Sequence, residues 1–412
     1  MRIITQISSI SIILLIINGC VKHPGESLGE YYRKVKIDGR YEIKARYPIS
    51  SDLGEKVDCY RFSYNNKDKL TKVEHLKAGR LSELSYFGTA VAQVLVEYYV
   101  GFKKISYFDS RGNPVENNDL VFAKRIEHDK DKNQLLVLML DKYDALIKDI
   151  NRVTAYISDL DSVGQRIITY NFSDNFEEME DRGGIFKTFL KYDKHGNIIE
   201  ERYYSIDDQL KEHDDLKVAI VKRTFDEMDN KIEERYFNAD NELKEREDLN
   251  IAIIRWKYDE FGNITEERYY DIEENLTERE NLGIAIIKWN YDKNGNLVEQ
   301  RYYGKDEKLT KSDDLVIPII KWKYDKSGNK IEQRYYGVNE KLMEHKGLGF
   351  AVVQWKYDEK GNKIEIRYLD SNEELHELGT LGFAITQWEY DEKGNIIRTI
   401  NFDKNGEVIY ED

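Results

Sequence analysis

The feature that most constrains this chain is a turn that keeps returning. Aromatic-Asp pairs begin at Tyr192, Phe225, Tyr258, Tyr291, Tyr324, Tyr357 and Tyr390, each 33 residues after the last, without insertion or deletion. A fixed period on which many columns agree marks a repeat array. Asp follows the aromatic in all seven copies, and three residues later comes glycine, with Asp229 standing in the second copy. Asn is next in every copy. An Asp side chain closes its own turn, and Gly supplies a left-handed residue. Asp259, Gly262 and Asn263, Asp292, Gly295 and Asn296, Asp325, Gly328 and Asn329, and Asp358, Gly361 and Asn362 therefore read as structural turn residues. The order suits a type I hairpin turn closed by a glycine bulge.

The residues before each turn alternate as a strand does. In 251–259, Ala252, Ile254, Trp256 and Tyr258 share one face. The tryptophans Trp256, Trp289, Trp322, Trp355 and Trp388 occupy one slot of the repeat. After the turn, Glu266 and Arg268 share a face and recur in the other copies. Stacked copies should bring these charges into a ladder, with the arginines over the tryptophans of the paired strand. Pro318 interrupts a slot held by Ala219, Ala252, Ala285, Ala351 and Ala384, so a local irregularity is expected there. In the link between hairpins, Leu216, Leu249, Leu282, Leu315, Leu348 and Leu381 should plug the core from the edge. The string at 402–408 suggests that the link descends from a second turn of the same kind.

Tyrosine pairs end the second strand of several copies. Adjacent strand residues face opposite ways, so one member of each pair packs inward. The candidate binding residues are Tyr204, Tyr270, Tyr303 and Tyr336, together with the five tryptophans. A regular row of such rings suits a glycan or an extended peptide. The competing reading is cross-strand aromatic packing.

One repeat cannot bury its own apolar stripe, so neighbours must stack. The expected fold is all-β, an elongated tandem array of β-hairpins of about 33 residues each. It would be solenoid-like or a coiled antiparallel meander, because so wide a sheet does not stay flat. The expected organisation is a signal peptide over 1–19, a tether and N-terminal cap over 20–54, degenerate β-repeats over 55–185 and seven regular repeats over 186–412, the last one truncated.

The first residues carry an address. Arg2 precedes an apolar stretch that ends in Asn18-Gly19-Cys20, the pattern of an export signal. This ending resembles a bacterial lipobox, with Ile17 in the aliphatic slot and Gly19 in the small one. The resemblance implies cleavage before Cys20, acylation of that residue and a lipid bilayer as partner. Several acyl chains hold a protein firmly where one is marginal. Cys59 would then be a buried free thiol. The turn string of 192–197 and its six equivalents resembles the Tyr-Asp repeats of bacterial wall-associated and Rhs-type proteins. That resemblance implies an exported β-repeat protein and carries no catalytic residue across.

Other chemistry is hard to find. The net charge of -15 argues against nucleic acid, whose backbone needs a basic stripe. Two cysteines exclude a disulfide framework and a thiolate metal cluster. The seven histidines form no ligand spacing. No metal or cofactor is expected. The carboxylates stand in repeating environments, whereas a catalytic site is normally unique, so the chain is not expected to be an enzyme. The expected function is a membrane-anchored lipoprotein of the bacterial envelope, at the outer membrane or cell surface, presenting a β-repeat surface to a protein or glycan. The rivals are a spacer or envelope-assembly component without a ligand, and a hydrolase in the degenerate region.

Overall fold

The computed structural model describes residues 29–279, 282–310, 317–345, 347, 349–392 and 394–412, the side chain of residue 380 excepted. The expected signal peptide, Cys20, Leu315 and Leu348 lie outside the described residues. Among the described residues, twenty-six strands form one sheet, and the α-helical content is the single turn Ser51–Gly54. No described helix is long and apolar enough to cross a membrane.

The sheet is an open antiparallel meander. Strand β1 (Glu30–Ile37) pairs with β2 (Ile43–Ile49) on one side and β3 (Asp58–Tyr64) on the other. β3 pairs with β4 (Leu70–Lys77), β4 with Gln93–Tyr98, and thereafter each strand with the next as far as Val408–Glu411. Within a hairpin the pairing is long, as in Ile253–Tyr258 against Ile264–Tyr270. Between hairpins it is short, Glu266 to Arg268 against Lys288 to Ile286. The link occupies the gap so left.

The turn forms as its residues require. Asp259 N–H donates to the Asn263 carbonyl at 3.0 Å, and Gly262, at φ +78°, donates to the Asp259 carbonyl at 3.1 Å. Asp259 Oδ1 accepts the backbone N–H groups of Phe261 and Asn263, and Oδ2 accepts the Asn263 amide at 2.9 Å. The same set closes around Asp292, and Asp229 adopts the left-handed conformation at φ +54°. The link does hold a second turn of this kind. Asp271 accepts from Glu273 and Asn275, with Glu274 rather than glycine in the left-handed position.

A bulge at Lys257/Tyr258 sets the register and corrects one expectation. Trp256 lies opposite Glu267, while Arg268 lies opposite Arg255 and Glu266 opposite Lys257. The arginines of the ladder therefore stand on the face away from the tryptophans and do not stack on them. Lysines do so instead: Lys231 Nζ is 4.4 Å from the Trp256 ring centre. Pro318 also differs from expectation. Its strand keeps the register of the other copies, Ile319 opposite Tyr336, and its carbonyl still accepts from Tyr302 at 3.0 Å. Proline forfeits one donor there without displacing the ladder.

Both faces contribute to the core: Ile253, Ile286 and Ile319 are buried on the charged face, and the tryptophan face carries a contiguous apolar cluster. Val221, Tyr236, Ile254, Tyr269 and Ile287 form a continuous core, against which Leu216, Leu249 and Leu282 of the links pack beside Trp256 and Trp289. Leu381 departs from this and is exposed. A separate core fills the earlier strands around Phe62, Val94, Tyr107 and Val137. Cys59 is a fully buried free thiol, as expected, donating to the Gly54 carbonyl.

The sheet coils until its beginning meets its middle. β1, β2 and β4 run along the row of hairpin turns of the regular repeats. Lys36 reaches Asn197, Arg46 reaches Asp229, and the Tyr47 hydroxyl donates to Asn230 at 2.8 Å. Arg33 donates to the Asn294 carbonyl at 2.9 Å, and beyond β4 Arg80 donates to the Glu359 carbonyl at 2.9 Å. Basic residues of the first strands thus lie against turns that each carry an Asp. This complementarity holds two distant parts of the chain together.

Candidate functional site

The face away from the tryptophans carries the expected ladder. Each Glu at the centre of a second strand receives the Arg two residues on: Arg235 to Glu233 at 2.7 Å, Arg268 to Glu266 at 2.8 Å, Arg301 to Glu299 at 2.7 Å and Arg334 to Glu332 at 2.7 Å. The first strand of the hairpin adds a lysine, as Lys257 to Glu266 and Lys323 to Glu332. Burial raises the Glu266 carboxyl, but hydrogen bonds and charge from Arg268 and Lys257 outweigh it and hold the group at about 2. Glu332 and Glu365 are held at about 2 by the equivalent partners.

The same arginines reach one repeat further. Arg235, Arg268, Arg301 and Arg334 pair with Glu274, Glu307, Glu340 and Glu373 of the next link turn. Those four glutamates sit at φ +57° to +66°. A left-handed conformation is costly for a residue with a Cβ, and the ion pair to the preceding repeat is the compensation visible for it. Sequence reasoning passed over these residues, although their shared spacing was legible.

The tyrosine pairs divide as alternation requires. Tyr236 and Tyr269 are buried on the tryptophan face. Tyr204, Tyr270, Tyr303 and Tyr336 are half-buried on the charged face. Each of these has a cation over its ring: Lys187 at 5.3 Å, Arg255 at 4.5 Å, Lys288 at 5.1 Å and Lys321 at 5.3 Å. The row is therefore ring and cation together, not bare aromatic surface. At Tyr336 it opens into a cleft of about 400 Å³ lined by Val298, Lys321, Trp322, Lys323, Glu332, Arg334 and Tyr336. The cleft offers a ring to stack on and charges of both signs for hydroxyl, amide or carboxylate groups.

The tryptophans Trp256, Trp289, Trp322, Trp355 and Trp388 are half-buried, and Trp322 Nε1 donates to Gln333 at 2.9 Å. The turn residues Asp259, Asp292, Asp325 and Asp358 face the first strands or close their own loops. Four of the tyrosines before a turn Asp have a role the sequence did not disclose. Tyr258, Tyr324, Tyr357 and Tyr390 donate their hydroxyls to the backbone carbonyls of Lys231, Leu297, Lys330 and Lys363, which stitches each repeat to the one before. No group of three or more metal-ligating side chains converges among the described residues.

No family model and no curated protein matches the chain. Among solved structures, the TcdB2-TccC3 structure without its hypervariable C-terminal region is 11% identical, with a TM-score of 0.29, covering 93% of this chain and 24% of that one. The Photorhabdus luminescens Tc holotoxin pore is 12% identical, with a TM-score of 0.28, covering 94% of this chain and 25% of that one. The chain spans about a quarter of the length of these structures, and a likeness at this level carries no argument about function.

Proposed function

We propose that this protein is a membrane-anchored lipoprotein of a bacterial envelope that presents its β-repeat surface to a protein or glycan and catalyses no reaction. The observation that carries the binding role is the ring-and-cation row of Tyr204, Tyr270, Tyr303 and Tyr336, repeated along one face and opening into the cleft at Tyr336. The test is a full-length Tyr270→Ala/Tyr303→Ala/Tyr336→Ala variant, compared with the parent on isolated peptidoglycan sacculi, a bacterial glycan panel and an extended-peptide library. Loss of a parental interaction by a variant that still melts cooperatively, well above the assay temperature, supports the reading. Equal binding by both proteins, or no binding by the parent, overturns it.

The anchor is tested separately. Cys20→Ser should abolish labelled palmitate incorporation and release the protein from the membrane fraction. Protease shaving of intact cells, with a periplasmic protein as control, should release peptides from 256–396 if the array faces the medium. A second reading, a spacer without a ligand, draws on Arg334, whose guanidinium is already shared by Glu332 and Glu373.

A further inference from the structure

On the tryptophan face, one slot changes character along the array. It is the residue opposite the turn aromatic: Lys231, Ile264, Leu297, Lys330, Lys363 and Ile396. Lys231 has an acid, Glu234, at 2.9 Å. The equivalents of Glu234 beside Lys330 and Lys363 are Gln333 and Ile366, so those two lysines have lost that partner. Lys330 Nζ lies 5.4 Å from the Trp322 ring and 6.0 Å from the Trp355 ring, and Lys363 Nζ lies 5.9 Å from the Trp355 ring. The coiling of the sheet brings a third lysine from the far end of the order. Lys77 of β4 stands 5.0 Å from the ring of Tyr324, the residue opposite Lys330.

Among the described residues none of these three ammonium groups makes an ion pair. The acids nearest Lys77 favour its charge from a distance but are hydrogen-bonded elsewhere. Asp58 bonds His75 at 2.8 Å, while Asp292 and Asp325 close their own turns. Burial, and then the charges of Lys77 and Lys363, hold the Lys330 ammonium below the usual lysine range. Neighbouring like charges repel unless an anion joins them, and at Lys231, the other lysine in this slot, Glu234 already stands between it and Arg223.

We propose that Lys77, Lys330 and Lys363, with Trp322 and Trp355, form a binding site for an acidic glycan. Its carboxylate joins the ammonium groups, and its pyranose rings pack on the indoles. Charge-assisted hydrogen bonds supply the affinity, and the indoles distinguish a sugar from a bare anion. The net negative charge of the chain does not forbid this, since charges beyond about 8 Å are largely screened at physiological salt. The site rests on the reading of the protein as a binder; its lysines lie on the face opposite the tyrosine row, and it shares only Trp322 with the cleft at Tyr336.

The test titrates the full-length protein with oligogalacturonate, a neutral galacto-oligosaccharide of equal length and inorganic phosphate, read by tryptophan fluorescence and calorimetry. Saturable binding of oligogalacturonate is expected, weakened about tenfold or more in Lys330→Gln and in Lys363→Gln, as for loss of a hydrogen bond to a charged group. Both variants should melt as the parent does, and Lys130→Gln, at an exposed turn among the earlier strands, should bind normally. No saturable binding, equal binding of the neutral chain, or equally tight binding of phosphate overturns the site. Lysine variants that bind like the parent also overturn it. If the tyrosine variant alone loses binding, this site fails while the binding role of the charged face stands.

Discussion

Arg46 and Asp229 meet although 183 positions separate them, with Nη1 3.2 Å from the carboxylate and 3.3 Å from the Asp229 backbone carbonyl. Asp229 replaces the glycine of the other turns, and its carboxylate also receives His195 at 2.7 Å and Asn197 at 3.0 Å. The one irregular turn is thus one of the points at which the start of the sheet is fastened to the regular repeats. Side-chain exposure is 14% for Arg46 and 22% for Asp229, so the pair is only partly screened by water. A double-mutant cycle of Arg46→Ala and Asp229→Gly should give a coupling of about 1–2 kcal/mol in urea unfolding. Additive effects would show that the contact does not join the two segments.

Gly262→Ala and Gly112→Ala separate turn strain from the contact with the first strands. Both glycines are left-handed, at φ +78° and +84°. A Cβ at 262 would stand 2.6 Å from the Tyr47 ring, whereas one at 112 meets nothing within 4 Å. Each should lose about 1 kcal/mol to conformation. Gly262→Ala should lose further stability and expose β2 to hydrogen exchange, while Gly112→Ala should leave β2 protected.

Tyr269 and Tyr270 should respond unequally to truncation. Tyr269 is 1% exposed in the core, and Tyr269→Ala should cost about 3–5 kcal/mol. Tyr270 is half-buried beneath Arg255, and Tyr270→Ala should cost about 0.5–2 kcal/mol. Chemical denaturation of the two variants reads the difference. Equal costs would place both rings in one environment.

Acid should loosen the ladder. Glu266, Glu332 and Glu365 are held at about 2, against an ordinary 4.5, by their arginine and lysine partners. A lowered folded value means that their contribution is complete above the unfolded value and is lost as pH falls through the folded one. Melting temperature should therefore decline between about pH 5 and pH 2. Glu266→Gln/Glu332→Gln/Glu365→Gln should flatten that decline while lowering stability at neutral pH.

Cys59 should be inert in the native state. Burial pushes its thiol up to about 12, and the side chain has no exposed surface. A thiol of that kind is protonated and inaccessible. Ellman's reagent should titrate it only after unfolding, and rapid native labelling would contradict the burial.

The period, the turn and the alternation of faces were legible in the amino-acid order because each is a short-range relation. Asp259 bonds residues within four positions of itself, and strand side chains alternate every second residue whatever surrounds them. Which tyrosine of each pair lies outward follows from the same alternation. The face of Arg268 did not, since it turned on a bulge that shifts the register by one residue. The cations over the tyrosine rings depend on the same register, and so lay beyond a reading of single strands.

The meeting of β1, β2 and β4 with the hairpin turns was not legible at all. It joins Arg33 to Asn294 and Arg80 to Glu359, pairs that no local pattern relates. Twist is added at every strand of a sheet, and its sum over many strands decides where the first strands arrive. Local chemistry set the unit and its faces, while the accumulated coil chose which turns the N-terminal basic residues meet and brought Lys77 to Lys330.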